Sequence, residues 1–168
     1  MAAAVIFPSD VYIAGINDSK KLSEKQREAL FQSIHEKAIA VTTGLVTEQE
    51  IDCINILQAS FKAMRMAVGK LPLRPEHLLI DGCALPEKFY PQTPIIKGDQ
   101  KSFSIAAASI IAKVTRDRLM KEYDDVYPQY GFAKHKGYGT KQHIQAIQQH
   151  GLCAIHRKSF RVQGWTTL

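Results

Sequence analysis

Two aspartates, Asp81 and Asp99, each follow a short apolar run and sit beside a glycine, in Leu78-Leu79-Ile80-Asp81-Gly82 and Ile95-Ile96-Lys97-Gly98-Asp99. A short apolar run bounded by turn residues reads as a buried strand. An aspartate at the end of such a strand is fixed by the sheet yet faces its rim. Carboxylates at neighbouring strand ends can share a divalent cation, because hard ions take oxygen ligands. Either Asp-Gly pair alone is explained as well by a turn. The two together, with Lys97 between them, point to a site.

The elements that must hold these residues are marked by caps and periodicity. Residues 2–7 read as a strand, followed by a polar loop carrying Lys20 and Lys21. Ser23 with Gln26 forms a capping box and starts a helix whose buried stripe is Leu30, Ile34 and Ala38. Ile39 to Val46 is rich in β-branched residues and reads as a strand. Thr47 with Glu50 opens a short helical turn. Asn55 caps a further helix, with Leu57, Phe61, Met64 and Val68 as its core-facing stripe, and Pro72 and Pro75 close it. Segment 104–125 has a small, apolar first half suited to lying on a sheet. Its second half is charged, and Asp117, between Arg116 and Arg118, is expected on the helix surface. Residues 131–140 read as a glycine-rich loop, after which Thr140 caps a last helix that Gly151 closes.

At 168 residues the chain is expected to form one domain with a real core. No apolar run approaches the roughly 20 residues of a membrane span. The opening MAAAVIFPSD has no basic region before its apolar run, which speaks against a signal peptide. Cys53, Cys83 and Cys153 are odd in number and far apart, as expected of free thiols in a reducing cytoplasm. The formal net charge is +6, and all 16 acidic residues lie at or before Asp125. Residues 126–168 carry Lys134, Lys136, Lys141, Arg157, Lys158 and Arg161 with no acid. This basic C-terminal portion is expected to meet a polyanion, most simply nucleic acid. Interleaved Tyr127, Tyr130, Phe132, Tyr138, Phe160 and Trp165 argue against a disordered tail. Lys136 and Arg157 are candidate phosphate contacts, although any solvated basic face shows such charges. His135 and His156 have the chemistry of metal ligands, but histidine suits magnesium less well than carboxylate, so both fall outside the metal site.

Six blocks in order resemble bacterial ribonuclease HII: INDSKKLSEKQREALF, INILQASFKAMRMAV, LLIDG, IIKGDQKSFSIAAASIIAKVTRDRLM, YPQYGFAKHKGYGTKQH and IHRKSF. They cover nearly the whole chain and are far more specific than one short motif. The resemblance implies a single domain with an RNase H-like α/β fold, a mixed central sheet flanked by helices and a helical C-terminal part. It implies an endonuclease that cuts RNA in RNA–DNA hybrids and at single ribonucleotides in duplex DNA. The cofactor would be manganese or magnesium, and the products a 3′-hydroxyl and a 5′-phosphate. Of the family's four carboxylates, the third maps to Asp81 in LLIDG and the fourth to Asp99 in KGD. Tyr138, in KGYG, matches the family tyrosine that packs on the sugar at the RNA-to-DNA junction, where otherwise it would merely pack on Phe132. Lys20, in NDSKK, matches a lysine near the backbone-binding groove.

The chain departs from the family pattern at its start. The family opens with a strand ending in a GxDEAGRG block, and this chain contains no such block. The resemblance then implies a sheet lacking its first strand, a site lacking two carboxylates, and no Gly-Arg-Gly loop to read the 2′-hydroxyl. A sheet with such a slot has unpaired backbone groups, which predicts poor solubility or a partner that fills it. Two divalent ions about 4 Å apart repel by roughly 17 kcal/mol at an effective dielectric of about 20. Four carboxylates balance that charge, whereas Asp81 and Asp99 supply half of it. The leading reading is a metal-dependent ribonuclease HII. A second is a catalytically impaired remnant that holds hybrids without cutting them. A third, another metal-dependent phosphoryl-transfer enzyme built on Asp81 and Asp99, is disfavoured by the long ordered blocks.

Overall fold

A computed structural model describes residues 1–159; Phe160, Arg161 and Trp165 of the basic portion lie outside the described residues. The chain runs β1 (Ala2–Ile6), α1 (Glu24–Lys37), β2 (Ala40–Gly44), α2 (Glu48–Gly69), β3 (Leu78–Asp81), β4 (Gln92–Ile95), a 3₁₀ turn (Gly98–Gln100), α3 (Phe103–Val126), α4 (Phe132–His135) and α5 (Lys141–His150). Both capping boxes form as the sequence requires, Ser23 with Gln26 before α1 and Thr47 with Glu50 before α2. Thr140 caps α5 and Gly151 ends it. Helix α2 is interrupted at Asn55, which has φ 66° and ψ 166°. Asn55 Oδ1 accepts from the amides of Leu57 and Gln58 at 3.0 and 3.1 Å, so the expected short turn and capped helix are both present.

β1 and β2 form an antiparallel ribbon with Ala2 opposite Gly44 and Ile6 opposite Ala40. All of β1 is apolar because both of its faces are covered. Ala3 and Val5 face the main core of α1 and α3, while Ala2 faces α2. Gly44 lets α2 lie directly on the ribbon, since a Cβ there would fall 2.0 Å from the Ala63 carbonyl oxygen. At the centre, Ile34 of α1 meets Ala107, Ile110 and Ile111 of α3, all fully buried.

β3 and β4 form a separate parallel ribbon, with Asp81 opposite Ile95. Parallel and antiparallel pairing are therefore both present, divided between two ribbons instead of joined in one sheet. Between them lies a cleft of about 730 Å³, walled by β1 and β3 and floored by Ile105, Ala108, Ser109 and Ala112 of α3.

Four local expectations are corrected. Leu57 is 55% exposed, because the break at Asn55 turns the start of the second helical piece to solvent; the buried stripe begins at Ala59 and Phe61. The second apolar run is displaced: β4 ends at Ile95, Ile96 is exposed, and Lys97 turns the chain at φ 55°, so Asp99 sits on the 3₁₀ turn and not at a strand end. Residues 131–140 are not all loop, since they include α4. Asp117 is buried, not a surface charge. Its oxygens meet Lys113 Nζ at 2.7 Å and Arg27 of α1 at 3.6 Å. The arginines beside it are engaged elsewhere, Arg116 with the Lys136 carbonyl and Arg118 with Glu28. No helix among the described residues is long and apolar enough to cross a membrane, and the three cysteines are free.

Candidate metal and nucleic-acid site

β3 and β4 end together, and the Gly82 amide donates to the Ile95 carbonyl at 3.0 Å. Their carboxyl ends form a rim of the kind at which parallel sheets bind ligands. Asp81 is exposed there, and its Oδ1 accepts from the Gly98 amide at 2.8 Å. Gly98 is required by this close approach. A Cβ would lie 2.6 Å from Ile105 Cδ1 and 3.3 Å from Asp81 Oδ1. The hydrogen bond ties Asp81 to the residue preceding Asp99, and both sequence-predicted aspartates line the same cleft. Asp99 is itself 7% exposed.

Lys20 belongs to the same rim, its Nζ 3.8 Å from Asp99 Oδ2 with the side chain largely in solvent. Sequence reasoning missed the residue that puts it there. Asp18 is buried; its Oδ1 accepts from the Lys20 amide at 2.9 Å and its Oδ2 from Gln100 Nε2 at 3.2 Å. The Lys20 amide, then Gln100 and the charges of Lys20 and Lys21, hold the Asp18 carboxyl below the usual range. The signal was the local pattern Asn17-Asp18-Ser19-Lys20, since aspartate commonly bonds the backbone two residues on.

The remaining predicted residues lie on the C-terminal part. The Tyr138 ring is 62% exposed and flanked by Lys113 Nζ and Arg116 Cζ, each 5.7 Å from its centroid. It does not pack on Phe132, which stacks on Tyr130 inside the small C-terminal core. Lys136 is placed differently from the expected phosphate contact. It is buried, with φ 52°, and its ammonium donates to the Ala133 carbonyl. Arg157 is half-buried and lends its charge to Asp52 of α2. Asp52 also accepts from the Lys158 amide at 2.7 Å and the Ser159 amide at 3.1 Å, which pins this turn to α2. His135 and His156 lie away from Asp81 and Asp99, in a ring cluster with His143.

The donor set decides what ion this rim suits. Asp81 and Asp99 offer the hard oxygen atoms that magnesium and manganese prefer. Among the described residues, no group of three or more His, Cys, Asp or Glu side chains is arranged to hold an ion. Two carboxylates match the charge of one divalent ion, and Lys20 already lies against one of them. The residues present fit part of a two-metal site and not the whole, so no two-metal step follows from them.

Comparison with known proteins agrees with this geometry. The family model for ribonuclease HII matches residues 1–163. The ribonuclease HII of Acetivibrio thermocellus is 60% identical over 160 residues, which are 95% of this chain and 62% of the relative. That of Bacillus cytotoxicus is 59% identical over 160 residues, 95% of this chain and 61% of the relative. The chain thus spans about 62% of the length of such relatives. The crystal structure of ribonuclease H2 from Pyrococcus horikoshii OT3 superposes with a TM-score of 0.72 at 27% identity, covering 87% of this chain and 77% of that one. The ribonuclease HII of Archaeoglobus fulgidus, solved in complex with PCNA, gives 0.65 at 24% identity over 86% of this chain and 76% of that one, a likeness of fold alone. With its rim of Asp81, Asp99 and Lys20 set in this fold, the chain belongs to the ribonuclease HII family.

Proposed function

We propose that this chain acts in divalent-metal-dependent endonucleolysis of RNA in RNA–DNA hybrids and at single ribonucleotides in duplex DNA, leaving a 3′-hydroxyl and a 5′-phosphate. The observation that carries this reading is the convergence of Asp81 and Asp99 through the Gly98 amide, with Lys20 beside them. Manganese or magnesium, when bound, would supply positive charge to the scissile phosphate and acidify its bound water. Asp81 and Asp99 would hold the ion. Lys20, in exchanging Asp99 for a phosphate oxygen, would neutralise charge on the backbone. The basic portion from residue 126 onward would carry the duplex by phosphate contacts, which give affinity without sequence preference. Tyr138 would pack on the sugar at the RNA-to-DNA junction, with Lys113 and Arg116 beneath the passing backbone. Arg157 would join these contacts, and the buried Lys136 would do so only by leaving the Ala133 carbonyl. The working compartment would be the cytoplasm.

One observation favours a second reading, in which the chain holds hybrids without cutting them: no third ligand joins Asp81 and Asp99 among the described residues. A labelled duplex with one embedded ribonucleotide separates the two. Binding is followed by anisotropy, and cleavage with manganese or magnesium by denaturing gel, with an all-DNA duplex as control. Cutting on the 5′ side of the ribonucleotide, lost in Asp81→Asn and Asp99→Asn, supports the endonuclease. Tight binding without any cutting supports the second reading. No preference for the ribonucleotide duplex in either assay refutes both.

A further inference from the structure

The C-terminal core holds three histidine rings that the proposed chemistry does not use. His135 and His143 are buried and stacked, with centroids 4.2 Å apart, and His156 packs against Tyr130, Phe132 and His143. Their hydrogen bonds fix each proton. The Cys153 amide donates to His156 Nδ1 at 3.0 Å, so that nitrogen is bare and Nε2 carries the hydrogen. His143 Nδ1 lies 3.0 Å from the Tyr138 carbonyl, which can only accept, so His143 is protonated there and bare at Nε2. The two Nε2 atoms are 3.0 Å apart, with His156 donating and His143 accepting. His135 is set in the same manner. The Gly137 amide donates to its Nδ1 at 3.2 Å, and its Nε2–H donates to the Tyr130 carbonyl at 2.8 Å. At His143 and His156, a proton added at the bare nitrogen breaks one of these bonds.

This relay ends on the tip that carries Tyr138. The Tyr138 carbonyl accepts from His143 and from the Thr140 amide at 2.8 Å, and the Tyr138 amide donates to the His135 carbonyl at 2.9 Å. The backbone is gripped while the ring projects into solvent. We propose that His143 and His156 are positioning residues for Tyr138, their neutral relay fixing the backbone at 138 so that the ring is presented to nucleic acid. This rests on the reading that Tyr138 packs on the substrate. Burial pushes the His143 imidazole down, and burial with the neighbouring His143 pushes His156 down to about 4, which keeps the relay uncharged at neutral pH. The groups facing it are His135, Tyr130 and Cys153, with Glu48 of α2 acting on the Cys153 thiol.

The test measures affinity for the ribonucleotide-containing duplex by anisotropy in the absence of divalent ions. Tyr138→Ala is expected to weaken binding by at least about fivefold, the low end of the loss when an aromatic stacked on a base is removed, since Tyr138 would pack on the sugar. His143→Leu, which cannot donate to the Tyr138 carbonyl, should weaken it about two- to twelvefold, the worth of one hydrogen bond. His143→Asn, whose amide nitrogen can replace Nδ1–H, should return it to within about twofold of wild type. His156→Leu should weaken binding, and His156→Gln, which still donates to His143, should restore it. Long-range ¹⁵N–¹H spectra of the wild-type histidines supply a readout independent of the variants. They should show the Nε2–H tautomer at His156 and His135 and the Nδ1–H tautomer at His143. The opposite tautomer at His143 or His156 overturns the relay. Wild-type affinity in His143→Leu or His156→Leu, alongside a loss in Tyr138→Ala, also overturns it. An unchanged Tyr138→Ala overturns the substrate reading of Tyr138 and the proposal with it.

Discussion

Replacing Asp117 with alanine is expected to lower folding stability by about 2–4 kcal/mol. The carboxylate is 4% exposed and lies between Lys113 at 2.7 Å and Arg27 at 3.6 Å. Its removal leaves two cations facing each other across the α1–α3 seam. Breaking one partner from a buried pair costs about 3–5 kcal/mol; the lower figure here reflects Lys113, which can swing outward to water. Arg27 has no such escape. Its NH1 donates to the carbonyls of Ser19 at 3.1 Å and Leu22 at 2.5 Å, and its Nε is buried without a partner. Asp117→Asn keeps an acceptor for one cation and should lose about half as much. Urea unfolding followed by circular dichroism is the assay. With a slope of about 2 kcal/mol/M, the alanine variant's midpoint should fall by about 1–2 M. A change below about 0.5 kcal/mol would place Asp117 among ordinary surface charges and refute the reasoning.

Gly98→Ala should destabilise the chain by about 1–3 kcal/mol through overpacking against Ile105, and should weaken manganese binding in calorimetry by moving the amide that holds Asp81. Asp52→Ala should release the turn at 157–159, seen as faster tryptic cleavage after Arg157 and Lys158; an unchanged rate would mean that Asp52 does not hold it. His156, pushed down to about 4 in the folded chain, binds fewer protons between that pH and about 6.5 than it does when unfolded. Its share of stability is therefore fully present above about pH 6.5 and is lost as pH falls toward 4, by about 1–2 kcal/mol after discounting for its partial exposure. Urea midpoints at both ends of that window should differ by less in His156→Gln than in wild type.

Local chemistry was the most legible layer of the sequence. Ser23, Thr47, Asn55 and Thr140 each cap where their side chains can reach an amide three residues on or nearer, a relation contained within four residues. Asp81 and Asp99 were legible as a pair because their flanking runs are similar. What failed depended on distant chain. Nothing beside Asp117 in sequence says that Arg27 arrives from α1 to bury it. Nothing beside Lys136 says that Arg116 will take its carbonyl while its ammonium turns back to the Ala133 carbonyl. The histidine relay spans residues 135–156 and exists only once α4 and α5 are packed. Asp18 lay between the two cases. Its turn was local, but its clasp on Gln100 was not.

The rim is closed by chain loops of unequal length. The bond between Asp81 and Gly98 spans 17 residues, and that between Asp18 and Gln100 spans 82. Because closure entropy grows with the logarithm of loop length, the longer loop costs about 1.4 kcal/mol more to shut. The two carboxylates should thus meet early in folding, and the segment bearing Lys20 should dock late. In the native state the opening expected first is that of residues 17–20, held to the rim by the 3.2 Å bond from Gln100 to Asp18 and the 3.8 Å approach of Lys20 to Asp99, while Asp81 keeps its 2.8 Å bond from Gly98. Native-state hydrogen exchange should find the Lys20 amide exchanging through a smaller opening than the Gly98 amide. During those openings Asp99 is without its lysine, and an arriving cation meets a carboxylate with no competitor for its charge.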